Sequence, residues 1–416
     1  MVSTPPRRRV LGATVAVLAL ALVGCGGDDH SGPTVREVGS EYRSIQAAVD
    51  AAEPGDLVLI GPGVYRESVT VKTPRLVIRG TDRNRVILDG RDELIDGISV
   101  TADQVAIENL TVRRFAQNGV IFTGPYNSSK AQAGPVGWRA SYVTAANNGL
   151  YGLYAFGTGA GIFDHNHASG SPDSGIYVGQ CRKCDAVVTA NVIEHNAIGY
   201  ENTNASGVTV AGNVMRGNRV GMVVASADTE RLAPQGGDEI VANLVADNDD
   251  PDTPESAQGG FGVGIVVAGG NRNRVRGNVI TGHPGAGILV TDQEQYQPSD
   301  NQVRTNRLSG NAIDLAVAST DGSALTVSGT CFAANTGVTA TAPAELEALL
   351  PCSGARPETV DGGALTLPMA PKGIEFSKVP LPGSQPQMPG ARTRTWRAPA
   401  RTQPALDLTK VRVPAG

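Results

Sequence analysis

The sequence predicts an all-β protein, a single-stranded right-handed parallel β-helix, and three observations predict it. Gly is frequent (52 of 416 residues) while aromatic residues make up only 4%, a balance suited to tight turns and stacked strands rather than packed helices. The stretch from Ala190 to Val224 says nearly the same thing twice, with Asn191/Asn213, Asn196/Asn218 and Gly199/Gly221 aligned at one offset. Within each copy the apolar residues alternate over short runs, the period of a strand and not of a helix.

The repeat extends outward. FAQNGVIF, AANNGLYG, SPDSGIYV, FGVGIVV and HPGAGILV carry it from residue 115 to 290, with Asn243, Asn278 and Asn306 as further Asn positions. Taking Gly149, Gly175, Gly199, Gly221, Gly264 and Gly287 as equivalent, the spacing stays near 22 to 26 residues, apart from one double interval that holds the polar insert 247–260. A repeat of about 20 to 30 residues that builds about three short strands makes one coil of a solenoid, stacked on the next at about 4.8 Å. Asn at the bends passes side-chain hydrogen bonds along the axis and tolerates a left-handed corner. An open first coil would leave strand edges unpaired, and Ser44 followed by an amphipathic segment to Ala52 predicts a helix that covers it.

The chain begins with Arg7, Arg8 and Arg9 before an apolar run that ends Leu22-Val23-Gly24-Cys25. This pattern predicts a signal peptide over 1–24, and its end resembles the lipobox of bacterial lipoproteins, which implies lipidation of Cys25. Arg7-Arg8-Arg9-Val10-Leu11 is also similar to the twin-arginine variety of signal. The expected location is therefore extracytoplasmic, anchored by lipid to the outer face of the bacterial cell membrane. Loss of the leader lowers the formal charge from −5 to −8, so no basic face is expected and nucleic acid is excluded as a partner. Four cysteines remain, and outside the cytoplasm they suggest two local disulfides, Cys181–Cys184 and Cys331–Cys352.

SIQAAVDAAEPGDLVLIGPGVYRESVTV followed by RNRVILDG resembles the N-terminal part of pectin-lyase-like β-helix proteins, and the later coils resemble the right-handed β-helix repeat family. The resemblance implies the fold and lends no catalytic residue, because the signatures of pectin methylesterases and polygalacturonases are missing. The expected organisation is a linker over 25–40, the β-helix over 41–320, a disulfide-bracketed segment over 321–355 and a Pro-rich extended or disordered tail over 356–416.

Five of the nine tyrosines fall between Tyr142 and Tyr200, with His165, His167 and His195, and with Asp164, Asp173, Glu194 and Glu201. Amphipathic rings beside carboxylates and imidazoles suit a carbohydrate surface. The repeat register places Ile121, Tyr151, Tyr177, Glu201, Val223, Val266 and Leu289 in one outward row and turns Tyr200 inward. Tyr151 and Tyr177 are thus the expected stacking platform, with His165 and Glu194 as further contacts. The same residues also read, in second place, as a packed aromatic ladder, and after that as a partner-docking patch. His165 and His167 fit one strand face as a metal pair only weakly, so neither a metal nor a cofactor is expected. A monomer that binds polysaccharide or cell-wall glycan is the leading expectation. The alternatives are a glycoside hydrolase or lyase using Asp173 and Glu201 as its catalytic carboxyls, and a copper-site accessory like the β-helix partner of nitrous-oxide reductase.

Overall fold

The chain divides into residues 1–32 and residues 33–416. A computed structural model describes residues 32–125, 130–319, 321–361 and 365–415. The leader and Cys25 lie outside the described residues.

Among the described residues, strands from Val35–Val38 to Thr341–Ala342 form a right-handed parallel β-solenoid of about 12 turns. Three parallel sheets run its length. The first has 12 strands from Val35–Val38 to Cys331–Ala333, the second 10 from Gly63–Tyr65 to Arg307–Ser309, and the third 11 from Val69–Val71 to Thr341–Ala342. Solenoid strands therefore occur on both sides of the expected 41–320 range. The last ones escape the sequence pattern because the coil after Val317 lacks the Asn-Gly spacing of its neighbours. Inward residues make one continuous apolar core, in which Phe122, Trp138 and Phe163 stack with centroids 4.6 to 6.1 Å apart. Only Gly fits at position 161, where a Cβ would lie 1.9 Å from the Trp138 ring.

Asparagines rule two corners. At the first, Asn166, Asn191, Asn213, Asn243, Asn278, Asn306 and Asn335 form a column in which each Nδ2 donates to the next Oδ1 where a next Asn exists, at 2.9 to 3.0 Å. The same Nδ2 also bonds a carbonyl of the preceding coil, as Asn213 does to Val188 at 2.9 Å. At the second corner Asn196, Asn218 and Asn248 stack likewise and His283 continues the column to Asn311. The left-handed residue is the one before each ladder position: His165, Ala190, Gly212, Ala242, Gly277, Thr305 and Ala334 at the first corner. The hydrogen-bond role expected of Asn is present, and the left-handed backbone expected of Asn belongs to its predecessor. The Asn side chain bonds along the axis from an ordinary conformation, while the residue before it makes the bend.

Helix Ile45–Asp50 is shorter than the expected 44–52. Ser44 Oγ accepts the Ala47 N–H at 3.1 Å, and Ile45, Ala48 and Val49 join the main core. The two disulfides are Cys181–Cys184 and Cys331–Cys352. Residues 365–415 hold little regular structure and lie along the solenoid as a strap. Asn147 Nδ2 donates to the Phe376 and Val379 carbonyls, Arg79 to the Thr395 carbonyl, and Trp396 Nε1 to the Gly55 carbonyl at 2.7 Å. The strap then covers Ala211 and Val241 with Leu406, Leu408 and Val411.

Candidate functional site

The outward row of the third sheet is Ser99, Ile121, Tyr154, Tyr177, Glu201, Val223, Val266 and Leu289. Tyr154 holds the rung expected for Tyr151. The cause is an ambiguity in the chain itself, since Gly149-Leu150-Tyr151 and Gly152-Leu153-Tyr154 offer the same triplet three residues apart. Gly152 is the stacked one, for a Cβ on it would meet the Gly175 carbonyl at 2.5 Å, as one on Gly119 would meet that of Gly152. Tyr151 lies just before the strand and stacks on Tyr154 at 4.5 Å.

Tyr177 is not an exposed platform. Its side chain is 2% exposed, because it packs against Tyr151 and Tyr154, both at 4.9 Å, and its hydroxyl donates to Glu230. Glu230 belongs to the segment between strands Val220–Ala225 and Glu239–Val241, which folds back over this face. Asn204 holds that segment through the Ala227 and Glu230 carbonyls, and Arg182 holds it through the Ala233 and Pro234 carbonyls.

Asp173 and Glu201 do come together. Asp173 Oδ1 and Glu201 Oε2 are buried with no N–H or O–H donor among the described residues, yet the two carboxyl groups are within hydrogen-bond reach of each other. Two buried carboxylates cannot share that contact unless one is protonated. Burial raises Asp173, and burial with the charge of Asp173 raises Glu201 well above its usual value. Glu230 is pushed up to about 7, first by burial. The nearby Tyr151 hydroxyl and Glu201 ease the shift of Asp173. Burial and these neighbouring carboxyls push the Tyr151, Tyr154 and Tyr177 phenols up, so all three stay neutral hydrogen-bond donors.

Beside this cluster lies a groove of about 570 Å³, walled by Ile121, Tyr151, Tyr154, Phe156, Gln180 and Arg231. It runs along the row Ser99, Ile121, Tyr154, closer to the N-terminus than the expected span from Tyr142 to Glu201. Gln180 ties its two rims together, with Nε2 on the Ala131 carbonyl and Oε1 accepting the Arg231 N–H. None of Asp173, Glu201 or Glu230 lines it. The carboxyls stand behind the tyrosine wall and orient it.

His165 and Glu194 lie elsewhere. As a left-handed corner residue, His165 points out to solvent, stacks on Tyr142 at 4.7 Å and bonds Asp164 at 2.8 Å. His167 is buried and bonds Glu194 at 2.9 Å, while Arg216 bonds the other Glu194 oxygen. The His167 bond, aided by Arg216, holds the Glu194 carboxyl down at about 2, the mark of a structural ion pair. His165 and His167 do not share a face, because the positive φ at His165 breaks the strand alternation. Asp164 and Glu194 sit on different sheets. Sequence reasoning missed Phe156, Gln180 and Glu230 as site residues. Glu230 had no signal, since it falls in a segment without repeat. Tyr154 had one in the 23-residue spacing from Gly152 to Gly175.

Residues 96–232 and 130–307, together about half of the chain, match the family profile described as right handed beta helix region. The chain belongs to that family of right-handed β-helix proteins. Similar solved structures include the A-module of the mannuronan C-5 epimerase AlgE6 of Azotobacter vinelandii, 17% identical over 71% of this chain and 92% of that one with a TM-score of 0.49. A mannuronic acid specific polysaccharide family 6 lyase from human gut microbiota is 12% identical over 73% and 79% with a TM-score of 0.44. The Dettilon tailspike protein is 13% identical over 71% and 61% with a TM-score of 0.46. Among curated protein sequences, none matches this chain.

Proposed function

We propose that this chain is an exported, lipid-anchored β-helix protein that binds a polysaccharide in the groove along Ser99, Ile121 and Tyr154. The observation that carries the reading is the aromatic wall. Tyr151, Tyr154 and Phe156 come from one coil and set their rings side by side in the groove, where flat amphipathic rings can stack on sugar faces. Glu230 behind the wall holds the Tyr177 hydroxyl, and Tyr177 in turn packs against Tyr151 and Tyr154, so the platform is ordered before the ligand arrives.

A second reading, a polysaccharide-active enzyme, is favoured by the raised carboxyls of Asp173, Glu201 and Glu230. Two points rank it below binding. Glycoside cleavage uses carboxyls roughly 5 to 10 Å apart on either side of a bond, whereas Asp173 and Glu201 are in contact, and none of the three reaches the groove.

A glycan array on the soluble chain from Gly26 identifies a ligand, and Tyr154→Ala then tests the site. Binding should fall at least tenfold with the melting temperature little changed, because Tyr154 is half-buried on the outside of the core. Normal binding by Tyr154→Ala would place the glycan elsewhere. Release of reducing ends or unsaturated sugars that disappears in Asp173→Asn would move the assignment to the enzyme. For the anchor, Cys25→Ser should free the protein from membranes, and unchanged membrane partition would remove lipidation from the proposal.

A further inference from the structure

Two arginines are buried beneath the strap, Arg83 and Arg219, each about 2% exposed. Arg83 has its guanidinium satisfied by neutral oxygens. Its Nε donates to Thr144 Oγ1 at 2.8 Å, Nη2 to the Val143 carbonyl at 2.8 Å and Nη1 to the strap carbonyl of Pro386 at 3.1 Å. Arg219 starts the same way and stops short. Its Nη2 donates to the strap carbonyl of Pro371, and its guanidinium lies over the Phe261 ring, 5.2 Å from the centroid. Nη1 is buried with no acceptor among the described residues, and no carboxylate there lies within ion-pair distance. Glu255 and Asp250 act on it only at longer range.

An unpaired buried guanidinium donor carries a substantial penalty, and such a group is ordinarily paired with an anion. Next to Arg219 is a cavity of about 400 Å³, bounded by Arg219, Glu255, Ser256, Gly259, Pro371 and Lys372. Two cations from different parts of the chain, one on the solenoid and one on the strap, thus meet at one cavity. The planar fork of Arg matches two oxygens of one oxyanion. The exposed Glu255 is the one acid on the cavity wall, and one of its oxygens is already engaged by the Gly373 N–H.

We infer that this cavity is an oxyanion site, in which a carboxylate, sulfate or phosphate group bridges Arg219 to Lys372 and ties the strap to the solenoid. It is separate from the tyrosine groove and shares no lining residue with it.

The test is thermal melting of the full mature chain at constant ionic strength, with chloride replaced by sulfate, phosphate or acetate. At least one anion should stabilise the wild type saturably, and comparing a sulfated with a carboxylated oligosaccharide at the same site then separates an ester from a uronate source. Arg219→Gln should lose the saturable response while melting no lower than the wild type without anion, since it removes a buried unpaired charge. Arg219→Lys keeps the charge without the fork and should weaken the anion at least tenfold. Glu255→Gln should strengthen it several-fold, Lys372→Ala should weaken it, and Tyr154→Ala should leave it alone. Hydrogen exchange of residues 367–373 should slow when the anion binds. An identical response in wild type and Arg219→Gln would mark a general salt effect and overturn the site. No response in the wild type, with Arg219→Gln melting lower, would show that Arg219 is only an anchor for the Pro371 carbonyl.

Discussion

The asparagine corners and the outward face of the third sheet come from the same coils, yet they handle polar groups in opposite ways. In the two columns the stacked amides find a donor or acceptor one coil away, and each coil repeats the last. On the face between Tyr151 and Glu230 the polar groups include carboxyls gathered against one another, and Asp173, Glu201 and Glu230 each keep one buried oxygen without a donor among the described residues. The corner network closes on itself without a ligand, and within its two columns His283 alone brings in a dependence on pH. The face keeps three acids at raised values and three phenols neutral, a departure from the self-satisfied pattern of the corners.

The sharpest way to break this comparison is to open the ladder. Asn213 Oδ1 accepts from both the Asn191 N–H and Nδ2, and its own Nδ2 donates to Asn243 and Val188. Asn213→Ala strands those groups in a fully buried corner, and unsatisfied buried polar groups cost about 1 to 3 kcal/mol each. A loss near 4 kcal/mol in denaturant unfolding is expected. A loss under about 1 kcal/mol would mean that the corners tolerate a gap and that their regularity is not the source of stability.

His283 gives the next largest effect and probes the one place where the ladder borrows a titratable group. The neutral ring fits only with Nδ1–H donating to Asn311 and Nε2 accepting from Asn248. Burial lowers its pKa from 6.5 to about 4, against the small opposing influence of Asn311 and Asp247. The unfolded chain therefore binds this proton first as pH falls. Stability from His283 is complete above about pH 6.5 and is lost on the way down to about 4, by about 3 kcal/mol at 1.36 kcal/mol per unit. His283→Asn keeps the donor and acceptor in the column and should remove that part of the acid loss. Equal slopes for the two proteins between pH 7 and 4 would place the acid sensitivity elsewhere.

The sequence made the scaffold legible because stacking forces a period. Asn191, Asn213, Asn243, Asn278 and Asn306 must recur where coils superpose, and so they can be counted. The site was half legible. Asp173 and Glu201 sit within repeats, and the register that pairs them could be read, whereas Tyr151 and Tyr154 tie in any pattern of Gly-Leu-Tyr and only the Gly152–Gly175 backbone contact decides between them. Glu230, Arg231 and the strap obey no period. They are recruited by tertiary contacts made once, such as the Tyr177 hydroxyl on Glu230 or Pro371 on Arg219, and a contact made once leaves no pattern in a single chain.

The smallest effect is also the one that separates the two regions by sign. Glu230 is raised from 4.5 to about 7, chiefly by burial and further by Asp173, although the Tyr177 hydroxyl opposes the shift. Here the native state holds the proton more tightly than the unfolded chain, the reverse of His283. Stability is therefore greatest below about pH 4.5 and declines as pH rises through 7, because the folded protein must then ionise a carboxyl among other acids. Glu230→Gln retains an oxygen for Tyr177 and has no proton to lose. At pH 8 the variant should exceed the wild type by about 1 to 2 kcal/mol, a range set below the full linkage value because Glu230 is partly exposed to solvent. At pH 4.5 the two should be equal. A variant less stable at both pH values would show that the ionised carboxylate, bonded by Tyr177, is the native form. The acid cluster would then be a stabilising network like the corners, and the contrast between the two regions would fail.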